Sequence, residues 1–261
     1  MLPALWVAKT GLSAQDTNLT VISNNLANVS TPGFKRDRAE FQDLLYQIKR
    51  QPGAQSTQDS ELPSGLQVGT GVRVVGTQKN FQTGSLQTSE NPLDLAVNGR
   101  GFFQVLQPDG TVSYTRDGTF HLNSDSQVVT SDGFALEPAI VVPNDAQTFT
   151  VGQDGTVSIT TAGNPAAQII GNLQTADFIN PAGLQAMGSN LFLETAASGA
   201  PQVGTPGLNG FGTTLQRTLE NSNVSTVEEL VNMITTQRAY EMNSKVISTA
   251  DKMLGFVTQQ L

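Results

Sequence analysis

Apolar residues recur at helical spacing at both ends of this chain, and that pairing constrains the fold more than any other feature. Near the N-terminus Leu5, Ala8, Leu12, Gln15, Leu19, Ile22, Leu26 and Val29 follow one another by alternate steps of three and four. Near the C-terminus Met233, Tyr240, Ile247, Leu254 and Leu261 recur at every seventh position, with Ala250 and Val257 between them. Residues at such spacing line one side of a helix and need a surface to cover them. Two such helices in one chain can cover each other, and their outer sides can pack on further copies. The expected fold class is α+β: N- and C-terminal helices paired as a coiled-coil domain, with an antiparallel β-rich domain inserted between them. A chain of this kind is expected to assemble rather than to catalyse.

A length of 261 residues is ample for a buried core. The formal net charge of -8 argues against a nucleic-acid partner, because phosphate recognition needs clustered positive charge. Charged residues make up 14% of the chain, against roughly 25% in soluble domains generally, so packing and hydrogen bonding must carry interface specificity. The absence of cysteine excludes disulfides, thiolate metal sites and cysteine nucleophiles. The stretch Met1–Trp6 is apolar but broken by Pro3, and Lys9 follows too soon for a Sec leader. No run approaches the ~18 apolar residues of a membrane span. No direct membrane insertion is expected, and any export would need a route without a cleaved leader.

The first helix is expected over Pro3–Val29, since proline suits a first turn, and Ser30-Thr31-Pro32-Gly33 should end it. Phe41, Leu44, Leu45 and Ile48 suggest a short helical stripe over Arg38–Ile48. Residues 49–71 are rich in Pro, Gly, Ser and Gln without a period, the composition of a linker or a functional loop. From Val72 short β-like runs take over, among them Leu93–Val97, Phe102–Leu106 and Ile140–Val142. Turn pairs such as Asn98-Gly99, Asp109-Gly110, Asp117-Gly118, Asp132-Gly133 and Asp154-Gly155 separate them. Asp109-Gly110-Thr111-Val112-Ser113 is echoed by Asp154-Gly155-Thr156-Val157-Ser158, which reads as two similar hairpins. Ser225 and Glu228 fit a capping box at the start of the last helix. The expected segments are 1–30 with 219–261 as the helical domain, 31–75 as a connecting region, 76–194 as the β-rich domain and 195–218 as a return linker.

Nothing in the chain points to a catalytic centre, a cofactor or a metal. His121 is the only histidine, and no Cys or second His can join it. The aspartates Asp109, Asp117, Asp125, Asp132 and Asp154 lack EF-hand spacing, and each Asp-Gly pair is explained by turn chemistry. Gly69-Thr70-Gly71 lacks the lysine of a phosphate loop, and no nucleophile elbow sits at a strand-to-helix turn. The polar side of the first helix, with Lys9, Asp16, Asn18, Asn24, Asn25 and Asn28, lacks the cations of an interfacial membrane helix.

Three longer motifs carry a resemblance. Ser23-Asn24-Asn25-Leu26-Ala27-Asn28-Val29-Ser30-Thr31-Pro32-Gly33-Phe34-Lys35 resembles the N-terminal signature of the bacterial flagellar rod and hook proteins. Leu219-Glu220-Asn221-Ser222-Asn223-Val224 and Gln237-Arg238-Ala239-Tyr240-Glu241 resemble the C-terminal one, and Asn91-Pro92-Leu93-Asp94-Leu95-Ala96-Val97-Asn98-Gly99-Arg100-Gly101-Phe102-Phe103 resembles the central one. Chain length and the 49–71 insertion are most similar to the distal-rod branch, with the proximal rod as the nearest alternative and a secreted β-rich adhesin a more distant one. The resemblance implies a helical homopolymer, a rigid axial drive shaft that transmits motor torque, with the terminal helices as an inner coiled-coil layer. It implies export by the flagellar type III apparatus and contacts with proximal rod proteins, the hook protein and the P- and L-ring proteins. Assembly contacts are then expected at Leu5, Leu12, Leu19, Ile22 and Leu26, and at Asn25, Asn28, Pro32, Gly33 and Phe34. Met233, Tyr240, Ile247 and Leu254 complete the expected set.

Overall fold

The two apolar rows fold as helices: α1 spans Leu2–Ala27 and α2 spans Thr226–Gln259. The computed structural model describes residues 2–53, 55–57, 60–61, 63–161 and 164–259. Leu261, the side chain of Val257 and positions 54, 58, 59 and 62 of the 49–71 segment lie outside the described residues. The chain divides into two compact units: Met1–Ala27, Asp37–Gln78 and Ser225–Leu261 form one, and Asn28–Arg36 with Lys79–Val224 form the other. The fold is α+β, with a β-rich segment between two terminal helices.

In the first unit α1 and α2 run antiparallel, because Asn18 faces Thr236 while Gly11 faces Asn243. The Ser225 hydroxyl accepts the Glu228 N–H at 3.5 Å, a long version of the expected cap. The stripe expected over Arg38–Ile48 is not a helix. Asp37–Asp43 and Tyr46–Arg50 are strands that pair with Val72–Lys79 and Leu66–Gly69. A short helix gains little without a partner surface, and here the 49–71 segment supplies a strand partner instead. Leu45, 89% exposed, shows that the supposed stripe has nothing to cover it. The ribbon is tied to α1 where the Val72 N–H reaches the Thr10 hydroxyl at 3.4 Å. Gly71 is required there, since a Cβ would lie 2.1 Å from that oxygen and φ is +123°.

The second unit is antiparallel throughout its described pairings. Its main sheet runs Phe120–Leu122, Val128–Thr130, Ala135–Glu137, Phe102–Leu106, Val112–Thr115, Leu191–Leu193, Gln185–Gly188. Phe102 and Phe103 point to opposite faces, as neighbours on a strand must, and each enters its own core. Phe103 packs edge-on to Phe120 among Leu95, Val97, Leu136, Val157 and Ile159, while Phe102 joins Tyr114, Phe178 and Phe192. The echoed Asp-Gly-Thr segments form the same turn twice. Asp109 accepts from both the backbone and the hydroxyl of Thr111, and Asp154 does so from Thr156. Those bonds hold both carboxyls below their usual range.

Ile140–Val142 departs from expectation. Ile140 and Val142 are buried, but only Val141 forms a bridge, to Gln127. Pro138 and Pro143 bracket the run, and a residue without an N–H cannot extend a ladder. Within 195–218, Gln202–Gly204 pairs with Thr175–Asp177, and Thr213–Gln216 pairs with Leu95–Asn98.

One glycine tests how tightly the second unit is packed. The Leu95 N–H bonds the Gly118 carbonyl at 3.0 Å, and a Cβ on Gly118 would fall 1.5 Å from the Leu95 oxygen. Gly118→Ala should therefore cost roughly 3 kcal/mol in urea unfolding, because backbone must move. Gly76→Ala meets nothing within 4 Å and should stay within about 0.5 kcal/mol of the parent.

Candidate assembly site

Around the Glu220 carboxylate the parts of the three sequence motifs that lie in the second unit come together. Gly33 sits at the tip of the turn that follows α1, with φ of +70°. Its N–H donates to the Glu220 carbonyl at 2.7 Å, and a Cβ would lie 2.6 Å from the Asp117 nitrogen. This close approach delivers Lys35 into the interior. Lys35 Nζ donates to Glu220 Oε1 at 2.5 Å and to the Gln82 carbonyl at 2.8 Å. Arg116 Nη1 donates to Glu220 Oε2 at 3.2 Å and to the Val97 carbonyl, and its Nη2 donates to the Gly99 carbonyl at 2.6 Å. The Gly84 N–H adds a third donor to the carboxylate, at 2.8 Å. The side chains of Lys35 and Glu220 are fully buried, and that of Arg116 nearly so.

This cluster holds two cations against one anion. Burial, opposed by the attraction of Glu220, pushes the Lys35 amine below its usual value, and the same balance acts on the Arg116 guanidinium. The guanidinium also lies 5.2 Å from the Phe102 ring centre, a favourable face for a cation. Glu220 thus neutralises charges from the N-terminal loop and from the strand end that holds the central motif. Around it Asn223 accepts the Arg36 N–H and donates to the Asn80 and Gln82 carbonyls. Asn190 donates to the Pro32 carbonyl at 3.1 Å.

The residues expected to mediate assembly fall in distinct places. Asn25 is buried in the first unit and bonds both the N–H and the carbonyl of Asp37, at 2.9 and 2.8 Å. Asn28 accepts from the Thr31 hydroxyl, and the Phe34 ring lies 5.3 Å from the Lys79 ammonium. Pro32 and Gly33 belong to the loop that carries Lys35. Ile22 is buried, while Leu5, Leu12, Leu19 and Leu26 are half-buried. On α2, Met233, Ile247 and Leu254 are half-buried and Tyr240 is exposed. The buried positions are Ala8, Ala14, Ile22 and Asn25 on α1 and Glu229, Thr236 and Ala250 on α2, so all but Ile22 are small or polar. The side of α2 opposite Thr236 exposes Val227, Val231, Ile234 and Phe256, and Val246 and Met253 are exposed on its flank.

Sequence reasoning quoted Lys35 and Glu220 inside the motifs but did not assign them a role, and it passed over Arg116. A signal was available. In a chain so poor in charge, an isolated cation or anion inside an otherwise uncharged motif has to be explained. Among the described residues, no group of three His, Cys, Asp or Glu could hold a metal, and His121 is exposed on the strand Phe120–Leu122.

Glu220→Gln should destabilise the second unit by about 3–5 kcal/mol, since it leaves two buried cations without an anion. Lys35→Met should cost clearly less, because Glu220 keeps Arg116. Urea unfolding of both variants, followed by tryptophan-independent far-UV circular dichroism, reads the difference; equal losses would contradict the charge argument.

Comparison with known proteins places these features in one family. Residues 5–35 match the model described as flagella basal body rod protein, residues 96–159 the flagellar hook protein FlgE/F/G D1 domain, and residues 215–260 the flagellar basal body rod FlgEFG protein C-terminal model. The flagellar basal-body rod protein FlgG of Buchnera aphidicola subsp. Schizaphis graminum is 53% identical, over 99% of this chain and 100% of its own. FlgG of Bacillus subtilis is 37% identical over 97% of each chain. The flagellar hook-basal body complex protein FlhP of the same organism is 27% identical over 98% of each. With that identity across the whole length of both chains, this chain belongs to the flagellar basal-body rod protein family, in its FlgG branch.

Proposed function

We propose that the chain is the structural subunit of the flagellar distal rod and polymerises helically into a rigid shaft that carries torque to the hook. The observation that carries this reading is the apolar far side of α2. Val227, Val231, Ile234 and Phe256 are each half exposed or more, on a helix whose other side already packs on α1. Burying such residues yields about 25 cal/mol per Å2, and no further apolar surface of the first unit is needed to accept them if neighbouring copies do. A head-to-tail contact that does not close on itself generates an open helical polymer, which is the symmetry of a shaft.

In this reading the terminal helices form a coiled-coil inner layer and the β-rich segment an outer one. The half-buried rows Leu5, Leu12, Leu19, Leu26 and Met233, Ile247, Leu254 complete their burial between copies. Proximal rod proteins and the hook protein meet the two ends of the polymer, and the P- and L-ring proteins surround it where it crosses the periplasm. The subunit leaves the cytoplasm through the flagellar type III apparatus with no cleaved leader. The identity of the Bacillus subtilis relatives favours the distal rod over a paralogue, since FlgG is closer than FlhP.

Val231→Asp with Ile234→Asp should leave the monomer folded, because both side chains are exposed and lie on α2 roughly opposite Thr236, which bonds Asn18 of α1. The wild-type chain should give straight tubes by electron microscopy at rising concentration, and the double variant none, with unchanged thermal melting of the monomer. Tubes of wild-type abundance from the variant would overturn the assignment of that face.

A further inference from the structure

We propose that the polar contacts between α1 and α2 lock the register of the helix pair, and that Gly11, Asn18, Thr236 and Asn243 are specificity-determining residues of assembly. This rests on reading the chain as a polymer subunit. The apolar rows cannot set the register themselves. Leu5, Leu12, Leu19 and Leu26 recur every seven residues, as do Met233, Tyr240, Ile247 and Leu254. A slip of one heptad, about 10.5 Å along the axis, therefore matches the rows again.

What does not repeat is the polar pair and the gap beside it. Asn18 Nδ2 donates to Thr236 Oγ1 at 3.1 Å, and that hydroxyl in turn donates to the Asn232 carbonyl at 2.7 Å. Seven residues away, Asn243 lies so close to Gly11 that a Cβ there would sit 3.0 Å from its amide nitrogen. Glycine weakens a helix interior relative to alanine, and at this position it leaves room for the Asn243 amide. Slipping one way places Ala4 against Asn243, and slipping the other way places Asn18 there. Either brings a side chain to the point where the observed register has none. Both slips also separate Asn18 from Thr236. A polar residue in an otherwise apolar helix seam is known to fix register at a cost in stability. Register matters for assembly because a slip displaces the exposed row of α2 relative to the leucine row of α1, so a neighbouring copy no longer meets the same composite surface.

Cysteine pairs are clean reporters in a chain that has none. In the full-length chain, I22C/N232C reports the observed register and I22C/A239C reports a one-heptad slip. With Asn18 and Thr236 intact, oxidation should close only the first pair. Adding N18L/T236V should let the second close at least fivefold more, while circular dichroism shows helix content kept or raised. In chains without cysteine, N18L/T236V should give fewer and irregular tubes by electron microscopy, and the exchange N18T/T236N, which restores a polar pair, should recover them. Unchanged closure of the slip reporter, loss of helix content in the apolar variant, or regular tubes from it would each overturn the register lock. Absence of tubes from the wild-type chain would instead count against the polymer reading, and the disulfide result would still decide the lock.

Discussion

The Glu220 carboxylate is the point on which the second unit depends. It receives Lys35 from the loop after α1, Arg116 from the end of a core strand and the Gly84 N–H, all out of water. Taking charges out of water is expensive, and a buried pair is seldom worth more than a well-packed apolar substitute. Its value lies in what happens when one member is missing. Without Glu220, two cations are stranded; without the N-terminal loop, the carboxylate loses its shortest partner. Each of the three segments is thereby required for the others to be buried, and the arrangement rejects any packing in which one of them is displaced.

The same site fixes how the chain enters and leaves this unit. Gly33 bonds the Glu220 carbonyl and Arg36 bonds Asn223, so the segment after α1 and the segment before α2 lie side by side. Asn25 acts similarly in the first unit, where its amide satisfies both backbone groups of Asp37 as a neighbouring strand would. Charge, glycine and amide groups do this positioning, and they occupy the motifs because no apolar residue could replace their directional bonds.

Much of this was legible in the sequence. The heptad spacing placed both helices within a few residues, because helical period depends only on local order. The Asp-Gly-Thr echo identified two equivalent turns for a similar reason: the aspartate bonds the threonine two residues later, within a single tetrapeptide. What failed depended on distant partners. Phe41, Leu44, Leu45 and Ile48 satisfy a helical pattern, yet the pairing strand Leu66–Gly69 lies almost twenty residues on and outcompetes it. The pairing within the triad was illegible for the same reason: Lys35 and Glu220 stand out as lone charges in their motifs, but Lys35, Arg116 and Glu220 are far apart in the chain. The apolar rows located the helices but did not identify which row is buried: small side chains at Ala8, Gly11 and Ala250 allow close approach, whereas periodicity weighs only hydrophobicity.

The helix pair is consequently built the opposite way round from a free-standing domain. Apart from Ile22 its innermost residues are small or polar, its flanking rows are leucine, methionine and isoleucine left half-covered, and the far side of α2 is apolar and exposed. A helix pair stabilised mainly by such a seam gains little on its own, because helices of this kind draw most of their stability from packing an apolar face. In the proposed polymer other copies supply the missing burial. In that polymer, stability and assembly are one event for the terminal helices, while the β-rich unit has its own two cores and buried ions. That division suits the proposed subunit, whose ends are committed only when neighbours are present.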